Sequence, residues 1–320
     1  MKLPAPRGSL SSALIETLGG GVSPITGTTP DDDEDLHLSL FVCYELAYRG
    51  WDGVDDTWEH DPGLLRLRTG LERLFEARLH DLVGEVRPVD PAAVPRLLTE
   101  VVAADDGPSL SGYLRGRATR QQFREFVMHR SVYHLREADP HTYAIPRLGG
   151  RAKAALIEIQ LDEYGGGVTE RMHQELFKQT MAWFALDLTY GAHVDAVPAA
   201  TLAVNNLMSF FGLHRARRGA ILGHLAAYEM TSSLPNRAYG NGLRRLGGDA
   251  RATAFYDEHV EADAVHEQIA AHDLCGSFAT AEPELAGQVV WGARCALAVD
   301  NLWAQSVLDA WAAGGSSLRA

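Results

Sequence analysis

The chain has 320 residues, 46% of them hydrophobic, which is enough to bury a large core and excludes an intrinsically disordered protein. Its 42 acidic against 29 basic residues give a formal net charge of −13, which disfavours nucleic acid and anionic lipid surfaces as partners. Three isolated cysteines, no secretion leader and no apolar run near about 18 residues predict a cytoplasmic protein without a membrane partner.

The N-terminal third divides by composition. Residues 1–30 are rich in Gly, Pro, Ser and Thr, which predicts a flexible arm outside the core. The acidic run that begins at Asp31 predicts a helix start, because acidic side chains stabilise the positive end of the helix dipole. Asp61 and Pro62 open a second helix. We therefore interpret residues 31–115 as N-terminal auxiliary helices.

The rest of the chain has helical periodicity throughout, and no run of alternating apolar and polar residues predicts a strand. The predicted helices are 91–104, 118–138, 149–163, 169–188, 198–211, 216–232, 236–246, 250–274 and 283–312. The sequence thus predicts an all-α protein with its core over residues 116–320.

The most informative motif is His259, Asp263 and His266, which are spaced i, i+4 and i+7. On a continuous helix all three side chains point the same way, and apolar neighbours make a solvated surface a poor explanation. Imidazole and carboxylate are ligands of redox-active first-row metals. The motif therefore predicts a metal site, with a satisfied polar core cluster as the alternative.

A second group of ligand-type residues lies upstream, in or beside apolar helical segments: Glu137, Glu163, His173 and Glu229. Together they would supply a second metal. Glu163 and His173 flank three glycines at 165–167, which can unwind the helix and let the two side chains converge. The alternative interpretation of these glycines is an ordinary turn between helices.

A competing assignment uses Glu170 with His173, because their Glu-x-x-His spacing is that of ferritin-like di-iron bundles. The sequence pattern alone leaves Glu163 and Glu170 as alternatives. The remaining histidines without a partner pattern are interpreted as structural or surface residues: His129, His134, His193, His214, His224 and His272.

From about residue 38 to about residue 311 the chain resembles a known family, the haem-oxygenase-like di-iron oxidases or iron-containing redox enzymes. The resemblance is carried by LREADP at 135–140, IPR at 145–147, EIQLDEYG at 158–165, His173, Glu229, Asn236-Arg237 and the segment 257–266. It implies a seven-helix haem-oxygenase-like bundle that holds no haem, with additional N-terminal helices.

The resemblance also implies the site residues. Its metal ligands fall on Glu163, His173, Glu229, His259, Asp263 and His266. Glu137 matches an additional carboxylate that joins the metals in some members. This favours Glu163 over Glu170, and it makes Glu137, Glu163 and Glu229 the catalytic carboxylates.

The implied function is a di-iron oxidase or oxygenase. Two Fe ions cycling between Fe2+ and Fe3+ would use O2 as co-substrate and an external reductant, through a peroxo-diferric intermediate. The substrate would be a small amino acid or amine of specialised metabolism, undergoing N-oxygenation or C–H activation such as desaturation, cleavage or cyclisation. A homodimer is a family-based expectation.

Other interpretations remain open at this point. Arg237 follows Glu229 on the predicted helices, so we expect it to pair with a substrate carboxylate. A ferritin-like ferroxidase or electron-transfer protein would use Glu170 and no organic substrate. A haem- or ligand-binding helical protein would use one histidine axially and have little need of Asp263.

Overall fold

The computed structural model describes residues 1–21 and 29–319, apart from the side chains of residues 261–265. Helices are the regular structure throughout these ranges, which contain no strand, so the predicted all-α class is confirmed. In the same ranges no helix combines the length and apolar character needed to cross a membrane.

Within its described residues, the N-terminal part contributes the first α-helices. They are α1 Ser9–Leu18, α2 Asp33–Glu45, α3 Pro62–Val83, α4 Val94–Ala103 and α5 Leu110–Gly116. Asp32 caps α2 by accepting from the Asp35 amide, and Asp61 caps α3 by accepting from the Leu64 amide. The predicted helix starts at the acidic run and at Pro62 are confirmed.

The predicted flexible arm over residues 1–30 is corrected by α1. Leu10, Leu14 and Leu18 are spaced four apart and are at most 2% exposed, so one face of α1 belongs to the core. The burial of this apolar stripe outweighs the Gly- and Pro-rich composition around it. Residues 22–28 of the arm lie outside the described residues.

The middle of the chain contributes α6 Arg120–His134, α7 Asp139–Thr142, α8 Gly150–Glu163 and α9 His173–Trp183. The predicted helix 118–138 ends early, at His134, and a turn follows. The turn is stabilised by Arg136, whose guanidinium pairs with the buried Glu45 carboxylate of α2 at 3.0 Å. The local sequence pattern could not predict this ion pair, because its two residues are far apart in the chain.

The C-terminal part supplies the remaining helices: α10 Ala199–Leu213, α11 Arg218–Thr231, α12 Ser233–Arg245, α13 Ala250–Gln268, a π-helical segment Ile269–Gly276, α14 Ser277–Ala281 and α15 Ala286–Ala312. α11 packs closely along α15, because Gly223 lets the carbonyl of Val289 approach within 1.8 Å of where a Cβ would lie. α8, α11 and α13 each contribute residues to the wall of one cavity.

The N-terminal helices pack directly on the later ones. α2 lies against α10, and α4 lies against α15 and the π-helical segment. A division into auxiliary helices over 31–115 and a core over 116–320 therefore stays a prediction, since both parts share one hydrophobic core.

Candidate metal centre

The junction of α8 and α9 brings Glu163 and His173 together. Three consecutive glycines, Gly165 to Gly167, adopt positive φ angles of 63°, 62° and 81°, a conformation that other residues rarely take. The reversed chain places Glu163 Oε2 at 3.1 Å from His173 Nδ1, with both residues buried. The glycines thus form a turn between two separate helices, and this turn brings Glu163 and His173 together.

His259 of α13 adjoins this pair. Its ring centroid is 4.3 Å from that of His173, and its Nδ1 donates to the carbonyl oxygen of Phe255 at 2.8 Å. That hydrogen bond fixes the tautomer and leaves the Nε2 lone pair available as a ligand. Burial first, and then His173, lower the pKa of His259 to about 3, so this imidazole is neutral as a ligand must be.

Glu137 completes a four-residue cluster from the turn after α6. Ligand atoms of Glu137, Glu163, His173 and His259 all lie within 4.8 Å of one another. Glu137 Oε1 is 3.9 Å from His259 Nε2 and accepts a hydrogen bond from His134 Nδ1 at 2.9 Å. Four donor groups within this span suit one first-row metal ion.

A second group lies on α11 and α13. Glu229 is 7% exposed and His266 is 2% exposed, and Glu229 Oε2 lies 3.2 Å from His266 Nδ1. The other ring nitrogen of His266 donates to Asp162 Oδ2 at 2.9 Å, which sets the orientation of the imidazole. The predicted ligand Asp263 has a side chain outside the described residues.

Several buried polar atoms of these groups lack a hydrogen bond within the described part of the chain. They are Glu137 Oε2, Glu163 Oε2, His173 Nδ1 and His266 Nδ1. The last three take part in the nitrogen–oxygen contacts at 3.1 and 3.2 Å between Glu163 and His173 and between Glu229 and His266. Unsatisfied buried donors and acceptors are costly, so these atoms fit joint coordination of cations.

The electrostatics of these groups also favour the binding of a cation. Burial raises the pKa of Glu163. Burial by itself would lower the pKa values of His173 and His266, but the carboxylates of Glu163 and Glu229 outweigh it and raise both to about 9. The concentrated negative charge therefore attracts either protons or a metal cation, and the two compete.

A cavity of about 230 Å³ extends from the centre. Its lining includes Glu137, Glu163, Glu229 and His259. Another part of its wall carries Arg130 and Asp300, whose Nη2 and Oδ1 atoms lie 3.0 Å apart. The guanidinium of Arg130 stacks over the Trp303 ring at 4.0 Å, which holds it in place.

The prediction that Arg237 binds the substrate is corrected by the structure. It is exposed and does not line the cavity, whereas its neighbour Asn236 is buried and does. One residue along a helix rotates a side chain by about 100°, which carries Arg237 away from the site. Glu170 is exposed as well, so Glu163 is the glutamate that the structure places beside His173.

Sequence reasoning missed three residues of the site. His134 was interpreted as structural, although its i, i+3 spacing to Glu137 could have indicated the contact. Arg130 and Asp300 are 170 positions apart, and no local pattern joins them. Asp162, which precedes Glu163 in the chain, hydrogen-bonds His266, whereas Asp257 binds Arg244.

Comparisons with known proteins show what this chain is similar to. The family model described as iron-containing redox enzyme matches residues 124–301. A curated nitrosourea synthase from Streptomyces achromogenes subsp. streptozoticus is 27% identical over 210 residues, which are 64% of this chain and 44% of that protein. The chain thus matches less than half the length of that relative.

A solved structure is also similar. It is a domain of unknown function with a haem oxygenase-like fold from Shewanella denitrificans OS217, 15% identical, with a TM-score of 0.49 and coverage of 79% of this chain and 97% of that one. The family match spans more than half of the 320 residues and includes Glu137, Glu163, His173, Glu229, His259 and His266. The chain belongs to the family of iron-containing redox enzymes.

Proposed function

We propose that this protein is a non-haem di-iron oxidoreductase that uses O2 to oxidise a small amino acid or amine. The observation that carries the proposal is the buried convergence of imidazoles and carboxylates from α8, α9, α11, α13 and the turn after α6. Their unsatisfied atoms favour cations over a closed polar core. Membership of an iron-containing family supports iron as the metal.

We assign the ligands in two sets. Glu163, His173 and His259 would hold the first ion, with Glu137 beside it as an additional carboxylate. Glu229 and His266 would hold the second, together with Asp263, which is assigned from its spacing alone. Glu163 interacts electrostatically with Glu229 and with His266, so it would lie close to the second set as well.

A pair of ferrous ions, when bound, supplies the electrons that reduce O2 and hence the oxidising power of the reaction. The protein's own residues keep the site ordered and dry. The Phe255 carbonyl orients His259, Asp162 orients His266, and the burial of Glu163 and His173 keeps water from the ligands. An external reductant would restore the ferrous state between turnovers.

The cavity supports a small polar substrate. Its volume of about 230 Å³ is below the roughly 300 Å³ at which drug-sized ligands are accommodated. Arg130 can bind a substrate carboxylate and Asp300 an ammonium group, so the pair matches an amino acid better than a hydrocarbon. The relative named nitrosourea synthase points to nitrogen oxidation as one reaction class, beside C–H activation.

The test is anaerobic loading with Fe2+ followed by exposure to O2. We expect two Fe2+ per chain, a transient visible absorbance after O2 is added, and a change in its rate with one member of a panel of amino acids and the corresponding amines. Glu163→Gln should reduce the iron stoichiometry. Glu170→Gln is the matched control, because it makes the same charge change at an exposed position.

A chain that binds no iron, or that loses iron equally in both variants, would contradict the proposal. A ferritin-like ferroxidase predicts the opposite pattern, with iron lost in Glu170→Gln and retained in Glu163→Gln. A haem protein predicts an absorption band on addition of haem and no dependence on Glu229.

A further inference from the structure

A second cavity, of about 560 Å³, lies between α2, α3, α10 and α15. None of the described residues assigned to the metals lines it, and of the described residues only Trp303 lines both this cavity and the one at the metal centre. Its volume falls within the range of roughly 300 to 1,000 Å³ in which small organic ligands bind. We call it the apolar cavity, because most of its wall is aliphatic or aromatic, including Phe75, Leu79, Leu82, Ala200, Ala203 and Val299.

Two leucines of this wall are poorly covered by the rest of the protein. Leu82 is 42% exposed and Leu302 is 56% exposed, and both line the apolar cavity. On α10 the wall is formed by alanines, whose side chains are too short to fill the space: Ala199, Ala200 and Ala203. Removal of the leucine surface from water is favourable, so an apolar molecule in the cavity would be bound by the hydrophobic effect.

The wall also carries a buried polar group, the imidazole of His37. This residue of α2 is 6% exposed and lines the apolar cavity. The Asn206 amide nitrogen lies 2.8 Å from the His37 carbonyl oxygen and 3.3 Å from His37 Nδ1. An amide NH2 group can only donate, so Nδ1 accepts and the ring proton is on Nε2.

The Nε2–H group of His37 has no hydrogen-bond partner among the described residues. Burial lowers the pKa of this imidazole to about 4, so the ring is uncharged near pH 7. A buried donor without an acceptor is costly, and a ligand oxygen would satisfy it. A carbonyl oxygen suits this donor best, because a hydroxyl group would bring a further donor that needs an acceptor of its own.

The charged residues of the cavity wall are exposed and lie at its rim. Arg78 pairs with Asp33, so its guanidinium is already neutralised, and Asp81 adds a negative charge that would repel an anion. A cation would lose its water in the apolar interior, where the buried polar group is a donor rather than an acceptor. An uncharged molecule meets neither penalty.

We propose that the apolar cavity is a second ligand site, which binds an uncharged, largely apolar molecule whose carbonyl oxygen accepts a hydrogen bond from His37 Nε2. The site lies apart from the metal ligands and does not depend on the proposed function. It adjoins the cavity at the metal centre through Trp303, whose ring lies 4.0 Å from the Arg130 guanidinium. An occupant of the apolar cavity therefore contacts the residue that holds Arg130 in place.

Prodan is the probe, because it is an uncharged naphthalene ketone whose emission shifts to the blue in apolar surroundings. We expect the full chain to bind Prodan with this shift. Ala203→Phe should weaken binding at least about tenfold, because the phenyl ring would fill the cavity beside α10. Ala77→Phe is the matched control, since Ala77 is an exposed residue of α3 that does not line the cavity.

Competitors of similar size test the chemistry of the site. 2-Acetylnaphthalene should compete with Prodan about fivefold more strongly than 2-ethylnaphthalene, as one hydrogen bond implies, and more strongly than the 2-naphthoate anion. In His37→Phe, which retains an aromatic ring but has no donor, the acetyl and ethyl compounds should compete equally. If His37→Phe does not fold, the comparison of these two compounds in the wild type still tests the hydrogen bond.

A wild-type chain that binds no Prodan, or that loses it equally in Ala203→Phe and Ala77→Phe, would overturn the inference. Equal competition by the acetyl and ethyl compounds in the wild type, or stronger competition by 2-naphthoate, would overturn the assigned ligand class. A chain that binds no Prodan and that dimerises as wild type but not as Ala203→Phe would also overturn it, because the cavity would then be an interface between two copies.

Discussion

At the scale of single residues, the candidate centre depends on what holds each imidazole. A histidine ligand must present one nitrogen to the metal, and the hydrogen bond of the other nitrogen decides which. Phe255 performs this role for His259 through a backbone carbonyl, so no side-chain substitution can remove it. Asp162 performs it for His266 through a side chain, which makes that contact open to mutation.

Asp162→Asn should weaken metal binding at the Glu229 and His266 position by about 10- to 100-fold, because an amide holds the imidazole less firmly than a carboxylate. Anaerobic titration with Fe2+ measures the effect. Asp257→Asn is the control, since Asp257 binds Arg244 and Thr253 rather than an imidazole. Equal affinities in the two variants would contradict the assignment.

At the scale of elements, the α8–α9 junction shows how backbone conformation builds the site. Gly165 combines a φ of 63° with close packing, since a Cβ there would lie 2.5 Å from the Met172 backbone nitrogen. Gly166 has nearly the same φ, 62°, but no atom within 4 Å of its virtual Cβ. Substitutions at these two positions therefore distinguish the effect of backbone strain alone from that of strain combined with a steric clash.

Gly166→Ala should cost about 1–2 kcal/mol of unfolding free energy, the usual penalty of a left-handed conformation. Gly165→Ala should cost more and should also weaken metal binding at least about tenfold, because a clash costing about 1.4 kcal/mol or more displaces His173 from Glu163. Urea denaturation and metal titration measure the two effects. Similar metal affinities in both variants would count against a positioning role for this turn.

At the scale of the whole molecule, the fold buries two carboxylates and two imidazoles together between helices from distant parts of the chain. Without a cation these carboxylates oppose folding, and with one they stabilise it. The stability of the protein should therefore be linked to metal concentration.

Addition of Fe2+ or Co2+ at about 100 times its dissociation constant should stabilise the folded state by about 2.7 kcal/mol per site, and so raise Tm by several degrees. Anaerobic thermal denaturation measures this shift. Glu163→Gln should show a smaller shift, since it removes a proposed metal ligand. A Tm independent of metal would show that the folded centre binds none.

The free energy of unfolding at low pH should depend on two histidines that are buried away from the metal centre. Burial lowers the pKa of His129 to about 3 and that of His37 to about 4, so the folded state resists their protonation. The unfolded chain takes up protons below about pH 6.5, and stability that is present above that pH is lost as the pH falls towards these values.

Each of the two histidines should contribute a loss of about 1.4 kcal/mol per pH unit between about pH 6 and pH 4. In urea denaturation at several pH values, His129→Gln should show a shallower acid decline than the wild type. His60→Gln is the control, because the His60 side chain is 82% exposed. An unchanged slope in His129→Gln would contradict the burial argument.

Much of the fold followed from local signals. Helix starts at Asp32 and Asp61 were predictable because capping is a matter of a few neighbouring residues, and His259 and His266 share a face because helical periodicity is fixed by the backbone. The glycines at 165–167 indicated either an unwound helix or a turn for the same reason. The packing of α1 in the core was not predicted, because composition does not show which residues the leucines of α1 will pack against.

The sequence by itself determined the all-α class, the order of the helices and the set of residue types available to bind a metal, because each of these depends on local spacing. Only the tertiary structure decided that Glu163 rather than Glu170 faces His173, that His134 holds Glu137, and that Arg130 and Asp300 rather than Arg237 line the cavity. Those outcomes depend on how helices far apart in the chain pack and rotate against one another, which no local pattern specifies.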